Sequence, residues 1–200
     1  MKKKEYSAGA VKLSFWFMEF RKVICLLNQG KTFEEIKVLN RKQNIFGAST
    51  VDRADTIYNT VVARIQCLSS SFYTVFLHSD IATQKLFVLT AVMAHDTLFF
   101  DFVYEIIREK MIIGINEYAD SDIRIFFKNK QVQSKKVACW TDATLARLGR
   151  CYKTMLFEAG MTDKGKTVRV IYKPILDAPF RQWLTGNGME LVMNALAGVR

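Results

Sequence analysis

Proline is nearly missing from this 200-residue chain. Pro174 and Pro179 are the only two, both near the end, so nothing before them forces a helix to stop. Histidine is equally scarce, with His78 and His95 alone. No H-x-x-x-H or E-x-x-H pair arises, and His95, Asp96, Asp101 and Glu105 lack the spacing of a metal cluster. The four cysteines, Cys25, Cys67, Cys139 and Cys151, form no C-x-x-C pair and fall within helical patterns. That predicts reduced, buried thiols in a cytoplasmic protein rather than zinc ligands or a disulfide frame. G-x-S-x-G, H-E-x-x-H and G-x-G-x-x-G are absent, so the chain reads as non-enzymatic, with no catalytic residues, metal, cofactor or small-molecule substrate expected. Long apolar runs are missing too. The longest uncharged window, Ile65 to Ser79, holds Gln66, four serines and His78, well short of the roughly 20 apolar residues that span a bilayer. The basic start, Met1 to Tyr6, is followed by an apolar stretch interrupted by charges and by no small-residue cleavage site, so neither a secretory signal nor a membrane partner is expected.

What is present is a core. Half the residues are hydrophobic, enough to bury one apolar interior. The spacing of apolar residues predicts an all-α fold: a compact helical bundle with two helix-turn-helix-like segments and at most one short β strand or hairpin. One globular domain over residues 1–200 is expected, with an N-terminal lobe at 15–67, central apolar helices at 80–114, a C-terminal lobe at 120–173 and a docking tail at 174–200. Helix signals are frequent. Phe17, Phe20, Ile24 and Leu27 step by three and four residues towards Gly30, and Thr32 with Glu35 has capping-box spacing. Ser49 or Thr50 precedes a stripe formed by Val51, Ala54, Tyr58, Val61, Val62 and Ile65. Ile81 to Ala94 reads as one almost wholly apolar helix, with Asp96 capping a second. Further starts are expected at Asp120 or Ser121, Ser134, Thr141 and Asp177, and the window Thr167 to Tyr172 is rich in β-branched residues.

The net charge of +10 is unevenly placed. Residues 1–50 carry 10 Lys and Arg against 4 acids, 51–120 carry 5 against 9, and 121–173 carry 12 against 4. Two basic blocks around an acidic middle favour a polyanionic partner. The clearest candidate site lies between Ser121 and Gly160, in the order helix, short helix, tight turn, long helix. On the last helix Leu145, Leu148, Tyr152, Met155 and Leu156 share one face, and Ala143, Arg147, Arg150 and Thr154 the other, with Ala146 and Lys153 alongside. Small residues interleaved with arginines let a helix sit deep in a major groove while guanidinium groups reach base edges or phosphates. Lys128, Lys130, Lys135 and Lys136 lie on the preceding elements, where such a motif meets the DNA backbone. A secondary copy over Thr32 to Cys67 places Arg53, Thr56, Thr60 and Arg64 opposite the core stripe, with Arg41 and Lys42 before the turn. Asp52 and Asp55 flank that face and repel phosphate.

One nucleotide motif is matched. Gly160-Met161-Thr162-Asp163-Lys164-Gly165-Lys166-Thr167 fits G-x-x-x-x-G-K-[ST], yet the order around it is reversed: a helix ends at Gly160 and a β-like segment comes after Thr167.

Several short runs, taken in order, resemble a known family: Tyr6-Ser7-Ala8-Gly9, Glu19-Phe20-Arg21-Lys22, Asp96-Thr97-Leu98-Phe99-Phe100-Asp101-Phe102, Trp140-Thr141-Asp142-Ala143-Thr144 and Ile175-Leu176-Asp177. Their collinearity over nearly the whole chain resembles the BrxA family, a small non-catalytic component of bacterial BREX phage-defence systems. The resemblance implies a defence module that modifies host DNA, with a methyltransferase and ATP-using subunits as fellow members. Double-stranded DNA and other subunits of that system are the expected partners. The alternative reading is a protein–protein adaptor whose basic faces dock acidic subunits.

The reversed context of the glycine-rich match yields a test. Calorimetry with ATP and magnesium is expected to show no tight binding, whereas micromolar affinity abolished in Lys166→Ala would contradict this reading.

Overall fold

The computed structural model describes residues 4–200 of the chain; Met1, Lys2 and Lys3, within the basic start, lie outside the described residues. After a 3₁₀ turn at Gly9–Lys12, helices α1 (Phe17–Asn28), α2 (Phe33–Gln43), α3 (Val51–Ile65) and α4 (Phe72–His78) form the first layer. Next come α5 (Ile81–His95) and α6 (Thr97–Phe102), the latter running through a π-helical turn at Val103–Ile107 into α7 (Arg108–Ile112). Strand β1 (Glu117–Ala119), helices α8 (Asp120–Gln133), α9 (Lys135–Ala138) and α10 (Asp142–Glu158), and strand β2 (Val168–Val170) come after these. The chain closes with α11 (Ala178–Gly186) and α12 (Glu190–Ala197). The fold is all-α with one small antiparallel sheet.

Local chemistry explains most helix starts. Thr32 and Glu35 form the full capping box at α2, and Thr50, Asp80, Asp96, Thr141 and Asp177 each accept a backbone N–H in the first turn of the helix they precede. At α8 the expected cap is displaced: Ala119 occupies the cap position and the Asp122 carboxylate reaches back to its N–H at 2.7 Å. The reason is tertiary, since Glu117–Ala119 is held extended by antiparallel pairing with Val168–Val170, in the register Tyr118 opposite Arg169. A further bridge joins Thr162 to Ile171. Thus β2 is flanked on one side by Asn116 to Ala119 and on the other by Met161 to Asp163.

The buried apolar side chains form one cluster from Ala10 to Leu196. At its centre, every residue of α5 from Leu86 to Ala94 is buried, and so is all of α6. An aromatic group of Phe20, Phe72, Phe76, Phe87, Phe180 and Trp183, with centroid separations from 4.4 to 6.1 Å, ties α1 and α4 to α5 and the tail helix α11. Among the described residues no single helix is long and apolar enough to cross a membrane, and the most apolar pair, Ile81–His95 with Thr97–Ile112, is bent by 114°. Two expectations need correction. Val51, the first residue of α3, is 61% exposed and stands outside the buried stripe that begins at Ala54. The cysteines are less buried than helical periodicity suggests: Cys139 is exposed and the other three are half-buried.

One polar group sits inside this apolar frame. Lys130 of α8 is 2% exposed, and its ammonium donates to Asp101 (3.0 Å) and Glu105 (2.6 Å) on the central helix. Tyr6 of the N-terminal segment donates to the same Asp101 carboxylate at 2.5 Å. Replacing Lys130 by Met therefore strands a buried carboxylate. Its expected cost is about 3–5 kcal/mol, read as a lowered melting temperature; a loss below ~1 kcal/mol would show that the cluster is not needed for the fold.

Candidate nucleic-acid interface

Helix α10 owes its orientation to an apolar stripe. Leu145, Leu148, Tyr152, Met155 and Leu156 are all buried, which leaves Ala143, Ala146, Arg147, Arg150 and Thr154 along the outer face. That face is the one expected from helical periodicity. Among the described residues no carboxylate pairs with Arg147 or Arg150. The two alanines leave the backbone of the first turns of this stripe open to a flat or convex surface, and Phe157, 39% exposed, closes the same stripe at its far end.

Helix α8 lies beside α10 at unusually short range. A Cβ added to Gly149 would stand 2.9 Å from Cγ2 of Ile123, so only glycine allows this approach without moving the neighbour. Asp120 at the start of α8 accepts from Lys153 of α10 at 2.7 Å. Between the two helices runs an open groove of about 540 Å³ with Ile123, Phe127 and Leu145 on its floor and Arg124, Lys128 and Arg150 among its lining residues.

Beyond α10 the chain turns at Gly160 into a tight projecting loop, Asp163 to Val168. Arg169 donates from Nε to the Gly165 carbonyl (2.8 Å) and from Nη1 to the Lys153 carbonyl (2.8 Å), while Asp163 Oδ1 accepts from the backbone of Gly165 (3.2 Å) and Val170 (3.0 Å). A Cβ at Gly165 would lie 1.9 Å from the Val168 carbonyl oxygen, so glycine is required there for the turn itself. Lys164 and Lys166 are exposed on this loop. Thr167 leads into strand β2 rather than a helix, so the loop has no helix N-terminus of its own behind it to meet a triphosphate.

The expected contact residues divide into groups. Arg150 and Lys128 are exposed and line the same groove, Arg147 is exposed one turn before Arg150 on α10, and Lys135 is exposed on α9. Lys136 is exposed and paired with Glu5 at 3.0 Å. Lys153 is largely covered, held by Asp120 and by the Lys166 carbonyl. Lys130 must be withdrawn from the surface set. Burial works against its charge, yet hydrogen bonds to Glu105 and Asp101 outweigh that and hold the ammonium above its ordinary pKa.

In the N-terminal copy, Arg64 must be withdrawn as well. It is 1% exposed, donating to the carbonyls of Ser14 and Phe15 at 2.9 Å, and burial brings its pKa down to about 10. Although expected opposite the core stripe, it stands three residues after Val61 and seven after Ile57, both buried, and the segment before α1 folds over that side of α3. There Trp16, in the left-handed region at φ 57°, stands between Arg64 and Arg53, with the guanidinium carbons 5.7 and 5.1 Å from its ring centroid. Arg53 remains exposed; Arg41 is bound by Asp55 at 2.7 Å, and Lys42 is exposed on the last turn of α2. One residue was missed: Arg124 lines the groove beside Lys128, four positions away on the same face of α8, a spacing that the sequence displays.

The chain as a whole has recognisable relatives. Residues 4–188 match the family model described as BrxA. A "BREX protein BrxA" from Bacillus cereus (strain H3081.97) is 35% identical over 198 residues, covering 99% of both chains. A crystal structure of an uncharacterized protein from Magnetospirillum magneticum superposes with a TM-score of 0.81 over 98% of this chain and 100% of that one; at 18% identity it speaks for the fold alone.

The division between inner and outer arginines is measurable. Arg64→Ala removes donors from two carbonyls and is expected to cost about 2 kcal/mol or more, while Arg147→Ala should stay within about 0.5 kcal/mol of the parent in urea unfolding. Equal costs would contradict the assignment of Arg64 to the interior.

Proposed function

The chain belongs to the BrxA family, and from that premise we propose that it is a non-enzymatic double-stranded DNA-binding component of a BREX-type phage-defence system. The observation that carries the reading is the outer stripe of α10: Ala143, Ala146, Arg147, Arg150 and Thr154 on a rigid, well-buried helix, with both arginines unpaired among the described residues. The order α8, α9, turn, α10 is that of a helix-turn-helix, and the loop Asp163 to Val168 beside β2 stands where a wing stands in winged versions of that motif. In this reading α10 enters the major groove, Lys128, Lys135 and Lys136 meet phosphates, and Lys164 and Lys166 extend the contact from the loop. Arg53 and Lys42 of the N-terminal lobe supply a secondary contact. Because the side chains that specify bases are few and the cations many, affinity comes mainly from phosphates and varies little with sequence.

Binding should therefore fall steeply with salt. Removing each phosphate-contacting lysine, Lys128→Ala for example, is expected to reduce the slope of log affinity against log salt by about 1. Arg147→Glu with Arg150→Glu should abolish most duplex binding in gel shifts while leaving the circular dichroism spectrum and melting point unchanged. Lys2→Glu with Lys3→Glu, outside the described residues, is the charge-matched control and should cost far less. A folded Arg147/Arg150 variant that holds duplex as tightly as the parent would overturn the proposal.

A further inference from the structure

The groove between α8 and α10 has a chemistry that duplex DNA leaves unsatisfied. Its floor is apolar: Ile123, Phe127 and Leu145 are buried, and the Gly149 contact holds the two helices close together. Arg124, Lys128 and Arg150 stand over it, exposed and with no carboxylate partner among the described residues. Asp120, locked to Lys153, lines one end and Asp142, the first residue of α10, lines the other. A rigid duplex can offer phosphates to the three cations, but its thymine methyls and sugar edges are too small and too fixed in place to fill a concavity of about 540 Å³, a size typical of small-ligand sites.

We infer that this groove binds an amphiphilic anion: a compact aromatic or branched apolar group seated on Ile123, Phe127 and Leu145, with one carboxylate, sulfonate or phosphate held by Arg124, Lys128 and Arg150. Asp142 disfavours a second anionic group at its end of the groove, while Asp120 is neutralised by Lys153 at the other. The inference adds to the DNA reading at one point. Lys128 and Arg150 belong to both surfaces, so the ligand and duplex DNA exclude one another, and the groove is a site through which a metabolite of this class loosens the protein from DNA.

The probe is 8-anilinonaphthalene-1-sulfonate, which carries one anionic group on an apolar ring system. With the full chain it is expected to bind saturably, with a dissociation constant on the order of tens of micromolar. It should shift the methyl resonances of Ile123 and Leu145 and be displaced by saturating duplex. Arg124→Ala with Lys128→Ala should weaken the probe about tenfold or more, since hydrogen bonds to charged groups are lost, and 1-naphthylmethylammonium, of similar apolar shape and opposite charge, should bind at least about tenfold more weakly. Arg147→Glu, outside the groove, should lose duplex and keep the probe. Equal binding of the cation and the anion, an unchanged affinity in the double variant, or shifts confined to methyls elsewhere would overturn the inference. Simultaneous binding of probe and duplex would overturn the exclusion. If gel shifts find no duplex binding at all, the DNA reading fails by itself, and the dependence on Arg124 and Lys128 still decides whether the groove is a ligand site.

Discussion

A lysine ammonium with 2% of its side chain exposed is costly to bury unless carboxylates meet it, and the partners of Lys130 come from different parts of the chain: Asp101 and Glu105 from the central helix, with Tyr6 of the N-terminal segment sharing Asp101. The cluster fixes how α8 lies on the apolar hub, and α8 in turn sets α10 through the Gly149 approach and the Asp120–Lys153 pair. The outward face of α10 is thus decided in part by a buried charge that never touches a ligand. Nearly all apolar packing in the same region, such as Phe102 against Phe126 and Tyr152, is non-directional by comparison.

Cations in this protein do two kinds of work. Arg64, Arg108, Lys130 and Arg169 are structural: each spans a gap between elements by donating to carbonyls or carboxylates, Arg108 for instance to the Val199 carbonyl at 2.7 Å. Arg124, Lys128, Arg147 and Arg150 have no such internal duty among the described residues and lie around one pair of helices. A net charge of +10 accordingly overstates the surface available to a polyanion, and the position of the unpaired cations says more than their number.

Much of the fold was legible because its signals are local. A capping hydroxyl or carboxylate reaches an N–H two or three residues away, so Thr32, Thr50, Asp80, Asp96, Thr141 and Asp177 announce helix starts in any context. The outer face of α10 was legible for a related reason, since a 3.6-residue period with one apolar stripe leaves a single face for water. Residue type misled for Arg64 and Lys130, cations that normally face water: Lys130 falls in phase with Ile123, Phe126 and Phe127, and the partners of the two stand 49 and 50 residues and 25 to 124 residues away. No periodicity says which distant carbonyl or carboxylate will meet a cation that falls on or beside a buried stripe.

By itself, then, the sequence determined the all-α class, the positions of most helices and the stripe of alanines and arginines on α10, because each arises from interactions within one or two turns. Tertiary structure alone decided which cations are interior, where β2 finds its partner strand, and that Ile123, Phe127 and Leu145 line a groove rather than a sealed core. These depend on segments far apart in sequence meeting at a distance set by packing, and the cost of leaving a charge or a carbonyl unpaired is settled only when they meet.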